Sequence, residues 1–269
     1  MLYGMDGNCF GLNLYISIMT TDFRQMMEDR HANTKGLVQD FCRPEYIFHE
    51  NFQRQIQCNS VTAASGRYYT TPNGNRYPSI TTVLSKSNEQ KDIDSLNRWK
   101  QRVGVEEAAK ITKAAAGRGT SLHTLVEQFI KSDGYNTITL ENNKNAKLFK
   151  QIHPFLGRIG EIHIIEKALY SDILKVAGRV DLIGEFDGKL SVIDFKTSTK
   201  VKEEHWITDY LLQETFYSVA FGAIFPERIE QIVTIMTVEE GNTPQLFIKK
   251  PGDYIEELVL RVKKYYVEN

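Results

Sequence analysis

Val176-Ala-Gly-Arg-Val-Asp181-Leu-Ile-Gly-Glu-Phe186, an Asp187-Gly188 turn, and Lys189-Leu-Ser-Val-Ile-Asp194-Phe-Lys196-Thr-Ser198 form the stretch on which the fold of this chain turns. The two runs are apolar and rich in β-branched residues, and Asp-Gly between them is a hairpin signal. Val176–Phe186 and Leu190–Phe195 are therefore predicted as antiparallel strands. Side chains alternate along a strand, which puts Asp194 and Lys196 on one face and Ile193 and Phe195 on the other. Asp181 sits at a similar place on the partner strand, where pairing across the short turn brings its carboxylate toward that of Asp194. Converging carboxylates raise each other's pKa unless a cation lies between them. Hard oxygen ligands of this kind suit Mg²⁺ or Mn²⁺. Lys196 beside them is placed to orient or deprotonate a water, or to steady negative charge on a phosphate. Taken alone, an Asp-x-Lys triplet also reads as a surface ion pair worth less than about 1 kcal/mol. Against that stands the position of both aspartates behind apolar strand residues, where Asp is disfavoured.

Outward from this hairpin the hydrophobic period changes. Ile162–Tyr170 reads as a further strand. Upstream, Asp94–Val103 sets Leu96, Trp99 and Val103 on one helix face, and Val105–Ala116 is Ala-rich. Thr120 is a good N-cap for a helix to about Lys131, and Asn142–Leu156 fits another. Earlier still, two aromatic runs in Arg67–Tyr77 flank Pro72-Asn-Gly74, which predicts a hairpin leading through Pro78 and Ser79 into Ile80–Leu84. Downstream come a helix over Glu203–Phe225, strands Ile229–Val238 and Gln245–Lys249, and a closing amphipathic helix, Asp253–Tyr266. This order predicts an α/β fold whose central sheet mixes parallel and antiparallel neighbours between helices. Residues 1–66, with a helix near Thr21–Arg30, read as an N-terminal extension of unknown role, and 67–269 as one domain.

With 269 residues, 41% hydrophobic and 25% charged, the composition excludes a disordered or collagen-like chain. Lys plus Arg total 33 against 34 Asp plus Glu, so a nucleic-acid partner has to be met by a local surface rather than by bulk charge. Arg98–Arg118 is such a surface, with a local charge of +4. Cys9, Cys42 and Cys58 are odd in number and lack Cys-x-x-Cys spacing, so neither a disulfide framework nor a zinc site is expected from them. The apolar run Cys9–Met19 is shorter than the roughly 20 residues of a membrane span and has no basic residue ahead of it. No membrane association is expected, and the expected compartment is intracellular and cytoplasmic. Both Met1 and Met19 stand as start sites. No Gly-rich phosphate loop is present, which argues against a kinase or dehydrogenase.

The pair Gly178-Arg-Val-Asp181 and Ile193-Asp194-Phe-Lys196-Thr-Ser resembles motifs two and three of the PD-(D/E)XK nuclease superfamily, in its RecB-type branch. That branch also carries a His on an upstream helix and a Gln-x-x-x-Tyr after the Lys strand. Arg118-Gly-Thr-Ser-Leu-His123-Thr-Leu-Val-Glu127 and Gln213-Glu-Thr-Phe-Tyr217 match these. Tyr77-Pro-Ser79-Ile-Thr81-Thr-Val-Leu, Leu96-Asn-Arg-Trp99-Lys-Gln-Arg and Arg118-Gly-Thr narrow the resemblance to the mitochondrial genome maintenance exonuclease family and its phage-encoded members. It covers about Arg67 to Phe225.

The resemblance implies a restriction-endonuclease-like core and a Mg²⁺- or Mn²⁺-dependent DNA exonuclease acting on single-stranded ends in phage-like replication, recombination or repair. A flap endonuclease and a non-catalytic DNA-binding module are the alternatives. It further implies that Asp181, Asp194 and the Phe195 carbonyl ligate the metal, that His123 completes the set, and that Lys196 is the catalytic lysine. Gln213 and Tyr217 would fix the lysine strand or touch nucleic acid, with core packing an alternative for Tyr217. Glu127, one turn after His123, reads as holding His123 or a metal-bound water, or as an ordinary helix carboxylate. Glu166 corresponds to an acidic residue of the first motif. Phosphate contacts are expected from Arg118, Lys100, Lys113 and Lys200, and from Thr120 and Ser121 at the amide-rich start of the His123 helix. The four-cysteine iron–sulfur cluster of some branch members is not implied, because all three cysteines lie upstream of the motifs.

Overall fold

In the computed structural model, which describes residues 46–49, 58–131, 145–241 and 243–268, the chain forms two sheets with helices around the larger one. The helix expected near Thr21–Arg30, and Cys9 and Cys42, lie outside the described residues. The first sheet is antiparallel, with β1 (Asn59–Ala63), β2 (Gly66–Thr70) and β3 (Arg76–Pro78) in that order. β2 and β3 are the expected aromatic hairpin, its turn closed by a Gly74 amide that donates to the Thr71 carbonyl at 2.9 Å. β1 lacks an apolar alternation and was not expected; its pairing with β2 puts the division after residue 66 inside a hairpin. The Tyr46 hydroxyl also donates to the Leu156 carbonyl at 2.9 Å, and all described residues belong to one compact unit.

Four helices follow: α1 (Ile80–Lys86), α2 (Gln90–Val103), α3 (Val105–Lys131) and α4 (Ala146–Leu156). Ser79 caps α1 by accepting from the Thr82 amide at 3.0 Å, which offsets one unpaired N–H of the first turn. The apolar face expected on α2 is not covered: the helix has no buried residue among those described, and Leu96 is half exposed. The break expected before Thr120 is absent, because α3 runs unbroken through Gly117 and Gly119. Each interior glycine costs up to about 1 kcal/mol of helix propensity. Burial of Leu122, Leu125, Val126, Phe129 and Ile130 in the following two turns outweighs it. Thr120 is consequently no N-cap. Its carbonyl accepts from the Thr124 hydroxyl at 3.0 Å, and the amides of Thr120 and Ser121 lie inside the helical ladder, so the anion site expected there does not form.

The main sheet has strand order β4 (Ile159–Ser171), β5 (Val176–Phe186), β6 (Lys189–Ser198), β7 (Gln231–Val238), β8 (Gln245–Lys249). Neighbours are antiparallel except β6 and β7, which run parallel and need a crossover; α5 (Thr208–Gly222) supplies it. The helix expected from Glu203 starts with a separate 3₁₀ turn, Glu204–Trp206. A last helix, α6 (Ile255–Glu268), packs on α1 and α5. The result is the expected mixed sheet between helices. All residues of β7 are buried, as suits a strand covered on both faces. Leu211, Leu212, Phe216, Tyr217 and Phe221 of α5 share one core with Ile80, Val180, Ile183, Val192, Ile232 and Met236. No described helix is long and apolar enough to cross a membrane.

Gly178 marks where this packing is tightest next to the acidic motif. A Cβ there would lie 2.9 Å from the Tyr217 ring and hydroxyl and 3.0 Å from Ile80 Cγ2. Gly178→Ala is expected to cost about 1–3 kcal/mol through overpacking. Urea unfolding checks this, and an unchanged midpoint would show that the Tyr217 contact has slack.

Candidate active site

Strand register sets three acids in one row. In the β4–β5 ladder Ile165 pairs with Leu182 and Lys167 with Val180, so Glu166 and Asp181 face each other between these pairs. The β5–β6 ladder runs to Leu182–Ile193, and one step further Asp181 meets Asp194, which pairs with Thr234 on β7. Backbone regularity gives way along this row. Glu166 has φ 51, a left-handed conformation costing an L residue about 1–2 kcal/mol. The Phe195 amide donates to the Asp181 carboxylate at 3.0 Å.

Three cationic side chains answer the acids. His123, carried by the buried half of α3, has Nδ1 3.2 Å from Asp181 Oδ1 and 3.8 Å from Glu166 Oε1. Arg179 Nε lies 2.5 Å from Glu166 Oε2, and Lys196 Nζ forms an ion pair with Asp194 Oδ2. The Lys196 ammonium also donates to Gln213 Oε1 at 3.5 Å and lies 5.1 Å from the centre of the Tyr210 ring. Gln213 donates to the Tyr217 hydroxyl at 3.2 Å, and that hydroxyl donates to the Arg179 carbonyl at 2.7 Å. Spaced four apart on one face of α5, Gln213 and Tyr217 fasten the helix to both acid-bearing strands. Tyr217 is buried, and its hydroxyl faces β5.

Burial and neighbouring charge set the ionisation of the group. Burial, reinforced by the Asp181 charge, pushes the Asp194 carboxyl up to about 6 against the pull of Lys196. Burial also acts on Asp181, but His123, Lys196 and the Phe195 amide together hold it below the usual carboxylate range. Burial alone would lower His123; Asp181 and Glu166 outweigh it and raise the imidazole to about 10. The Lys196 ammonium is likewise held above its ordinary value by Asp194 and Asp181 despite burial. Glu214 of α5, fully buried beside this cluster with its carboxyl against the Thr234 hydroxyl, is driven well up by burial and by Asp194.

A divalent cation suits these donors. Ligand atoms of His123, Glu166 and Asp181 lie within 4.8 Å of one another, one imidazole and two carboxylates at a small open cleft that Phe195 also lines. Both Asp194 oxygens are buried, and Lys196 is their ion-pair partner. The converging ligand group thus contains Glu166, while Asp194 sits one strand further on.

His123, Glu166, Asp181, Asp194, Phe195, Lys196, Gln213 and Tyr217 are therefore brought together. Glu127 reaches the same cleft, but its carboxylate accepts from Lys131 at 2.6 Å. Arg118 is engaged: its Nε is 3.3 Å from Glu239 Oε2 and Nη2 donates to Thr199 at 3.4 Å. Lys200 is exposed, 3.7 Å from Glu240. Lys113 precedes His123 by about 15 Å along the helix axis, and Lys100 lies on exposed α2. None of Lys100, Lys113 and Lys200 bonds to the acidic cluster among the described residues. Sequence reasoning missed Arg179, Tyr210 and Glu214. Arg179 stood inside the Gly178–Asp181 motif, and Glu214 was a charged residue in a helix apolar on most sides.

A mixed sheet carrying carboxylates, one histidine and one lysine across adjacent strands presents a donor set of the kind that holds a divalent cation. The profile of the PD-(D/E)XK nuclease superfamily matches residues 96–239, and the chain belongs to that superfamily, whose members use divalent metals. It is 30% identical over 132 residues to mouse mitochondrial genome maintenance exonuclease 1, covering 48% of this chain and 39% of that protein. With the human protein it shares 28% over 132 residues, 48% of this chain and 38% of the relative. The chain thus spans well under half the length of these curated relatives. The crystal structure of SSO0001 overlays 71% of this chain and 74% of its own at a TM-score of 0.40 and 16% identity, too distant to carry an argument.

Metal binding to this cluster is expected to depend on pH in a defined direction. Below about 6 the Asp194 carboxyl keeps its proton, so affinity for Mn²⁺ rises as pH increases from 5 to 7. At pH 7.5 His123 still holds a proton that the cation must displace, so binding releases about one proton. Calorimetry in buffers of different ionisation enthalpy measures both. Affinity flat from pH 5 to 7 with no proton release would contradict this electrostatic account.

Proposed function

We propose that the chain is a Mg²⁺- or Mn²⁺-dependent DNA exonuclease that hydrolyses phosphodiester bonds at single-stranded ends, in replication, recombination or repair of a phage-like kind. The observation that carries this reading is the convergence of His123, Glu166 and Asp181 beside the Asp194–Lys196 pair in a chain of the nuclease superfamily. Relatives named as exonucleases support the mode of attack.

His123, Glu166, Asp181 and Asp194, with the Phe195 carbonyl, would hold the cation, which when bound lowers the pKa of water and offsets charge on the scissile phosphate. Lys196, whose ammonium form its two aspartates favour, would supply a positive charge and hydrogen-bond donor for the phosphate or orient the attacking water. Gln213 holds the ammonium, and Tyr217 holds Gln213 against β5, so the charge is in place before substrate arrives. Contacts to the DNA backbone fall to exposed lysines such as Lys100, Lys113 and Lys200, and to Arg118 once Glu239 releases it.

Labelled linear single-stranded, linear duplex, closed circular single-stranded and flapped DNA, each incubated with Mg²⁺ and with Mn²⁺, test the proposal. Linear single strands are expected to shorten from their ends while closed circles persist. Cleavage of circles would overturn the end requirement in favour of an endonuclease. Asp194→Ala and Lys196→Ala are each expected to lower the rate by about 10²–10³-fold or more while leaving low-salt DNA binding largely intact. Full activity in either variant, or in excess EDTA, would sink the mechanism.

A further inference from the structure

A second set of metal-type ligands lies at the outer edge of the main sheet and shares no residue with the nuclease cluster. β4 leaves its regular pairing twice between Ile159 and Ile164, and such bulges re-aim the side chains they carry. On its free side β4 is met by residues 46–49. The Ile162 amide donates to the Ile47 carbonyl at 2.7 Å, the His49 amide donates to the Ile162 carbonyl at 2.8 Å, and Phe48 pairs with Ile162 in parallel. That register sets His49 beside His163, and Glu161, two residues before His163, belongs to the same alternation.

His49 Nε2 is 2.7 Å from Glu161 Oε1, and His163 Nε2 is 3.9 Å from Glu161 Oε2, so the two carboxylate oxygens are addressed by different imidazoles. The rings stand edge to face, with centres 4.8 Å apart and planes at 72°. One ligand atom from each of the three side chains lies within 4.8 Å of the others. His163 is buried while His49 and Glu161 are partly exposed, which anchors one side of the group and leaves the other open to water. Along β4, His163 stands about 10 Å from Glu166, so the two clusters are separate. A surface His–Glu pair accounts for one imidazole on Glu161; it gives no reason for a second imidazole aimed at the other oxygen. Two imidazoles and one carboxylate form a borderline donor set that favours Zn²⁺-class ions over Mg²⁺.

We propose that His49, Glu161 and His163 bind a divalent transition-metal ion of the zinc class, with water at the remaining position, and that the ion clamps residues 46–49 to the sheet edge. Because its ligands come from segments more than 100 residues apart in the sequence, the site would exist only in the folded chain and would stabilise it. The inference is independent of the proposed nuclease activity.

Equilibrium dialysis of the full chain against Zn²⁺ in excess Mg²⁺, followed by elemental analysis, tests it. One tightly held Zn²⁺ per chain is expected, retained in His123→Ala and weakened at least tenfold in His49→Ala and in Glu161→Gln. Zn²⁺ at about a hundredfold excess over its Kd should raise Tm by about 5–10 °C in the parent chain and in His123→Ala, with no rise in His49→Ala. His49 and Glu161 are both partly exposed, so either substitution leaves the core intact, and circular dichroism of the metal-free proteins verifies this. Absence of bound Zn²⁺ in the parent chain, retention by both edge variants, or loss only in His123→Ala would overturn the proposal; the last would assign the zinc to the nuclease cluster.

Discussion

Asp194 is a carboxylate taken out of water in the middle of a sheet, and the surrounding structure is organised around that cost. A buried ion carries a penalty of several kcal/mol unless opposite charge and hydrogen bonds meet it. Lys196, two residues on along the same strand, supplies the opposite charge, and α5 covers the pair. The ammonium in turn needs a partner, which Gln213 provides, and Gln213 is steadied by Tyr217, whose hydroxyl is anchored on the Arg179 carbonyl. Gly178 lacks a side chain where the Tyr217 ring has to fit. Each step of this chain follows from the one before it.

Burial and charge pull against each other across the cluster: Asp181 and Glu166 raise the His123 imidazole despite burial, and burial pushes the Glu214 and Asp194 carboxyls up. Glu166 adds backbone strain to this cluster through its left-handed conformation. Such strain persists because the apolar core beneath it, from Ile80 through Phe216 to Met236, fixes the strands in place.

Much of the site was legible before any coordinates. Asp181, Asp194 and Lys196 stood out because polar residues interrupt strands of otherwise apolar character, whereas His123, Gln213 and Tyr217 came from the family resemblance and not from their spacing. Other features were not legible. Thr120 was expected to open a new helix as its N-cap, but the burial of Leu122 to Ile130 carries one helix through Gly117 and Gly119. Arg118 looked like a free phosphate ligand; Glu239, 121 residues later, occupies it. β1 has no apolar alternation, because its residues are all exposed and it is held by backbone pairing alone.

By itself, the sequence determined most strands and helices of the central sheet, because alternation, turn signals and helical spacing are local properties. Only the tertiary structure decided that Glu166 joins His123 and Asp181, that Asp194 is closed by Lys196, and that burial pushes the Glu214 carboxyl well up beside them. Those outcomes depend on cross-strand register and on how much water each carboxylate loses. Both arise only when segments distant in sequence pack together.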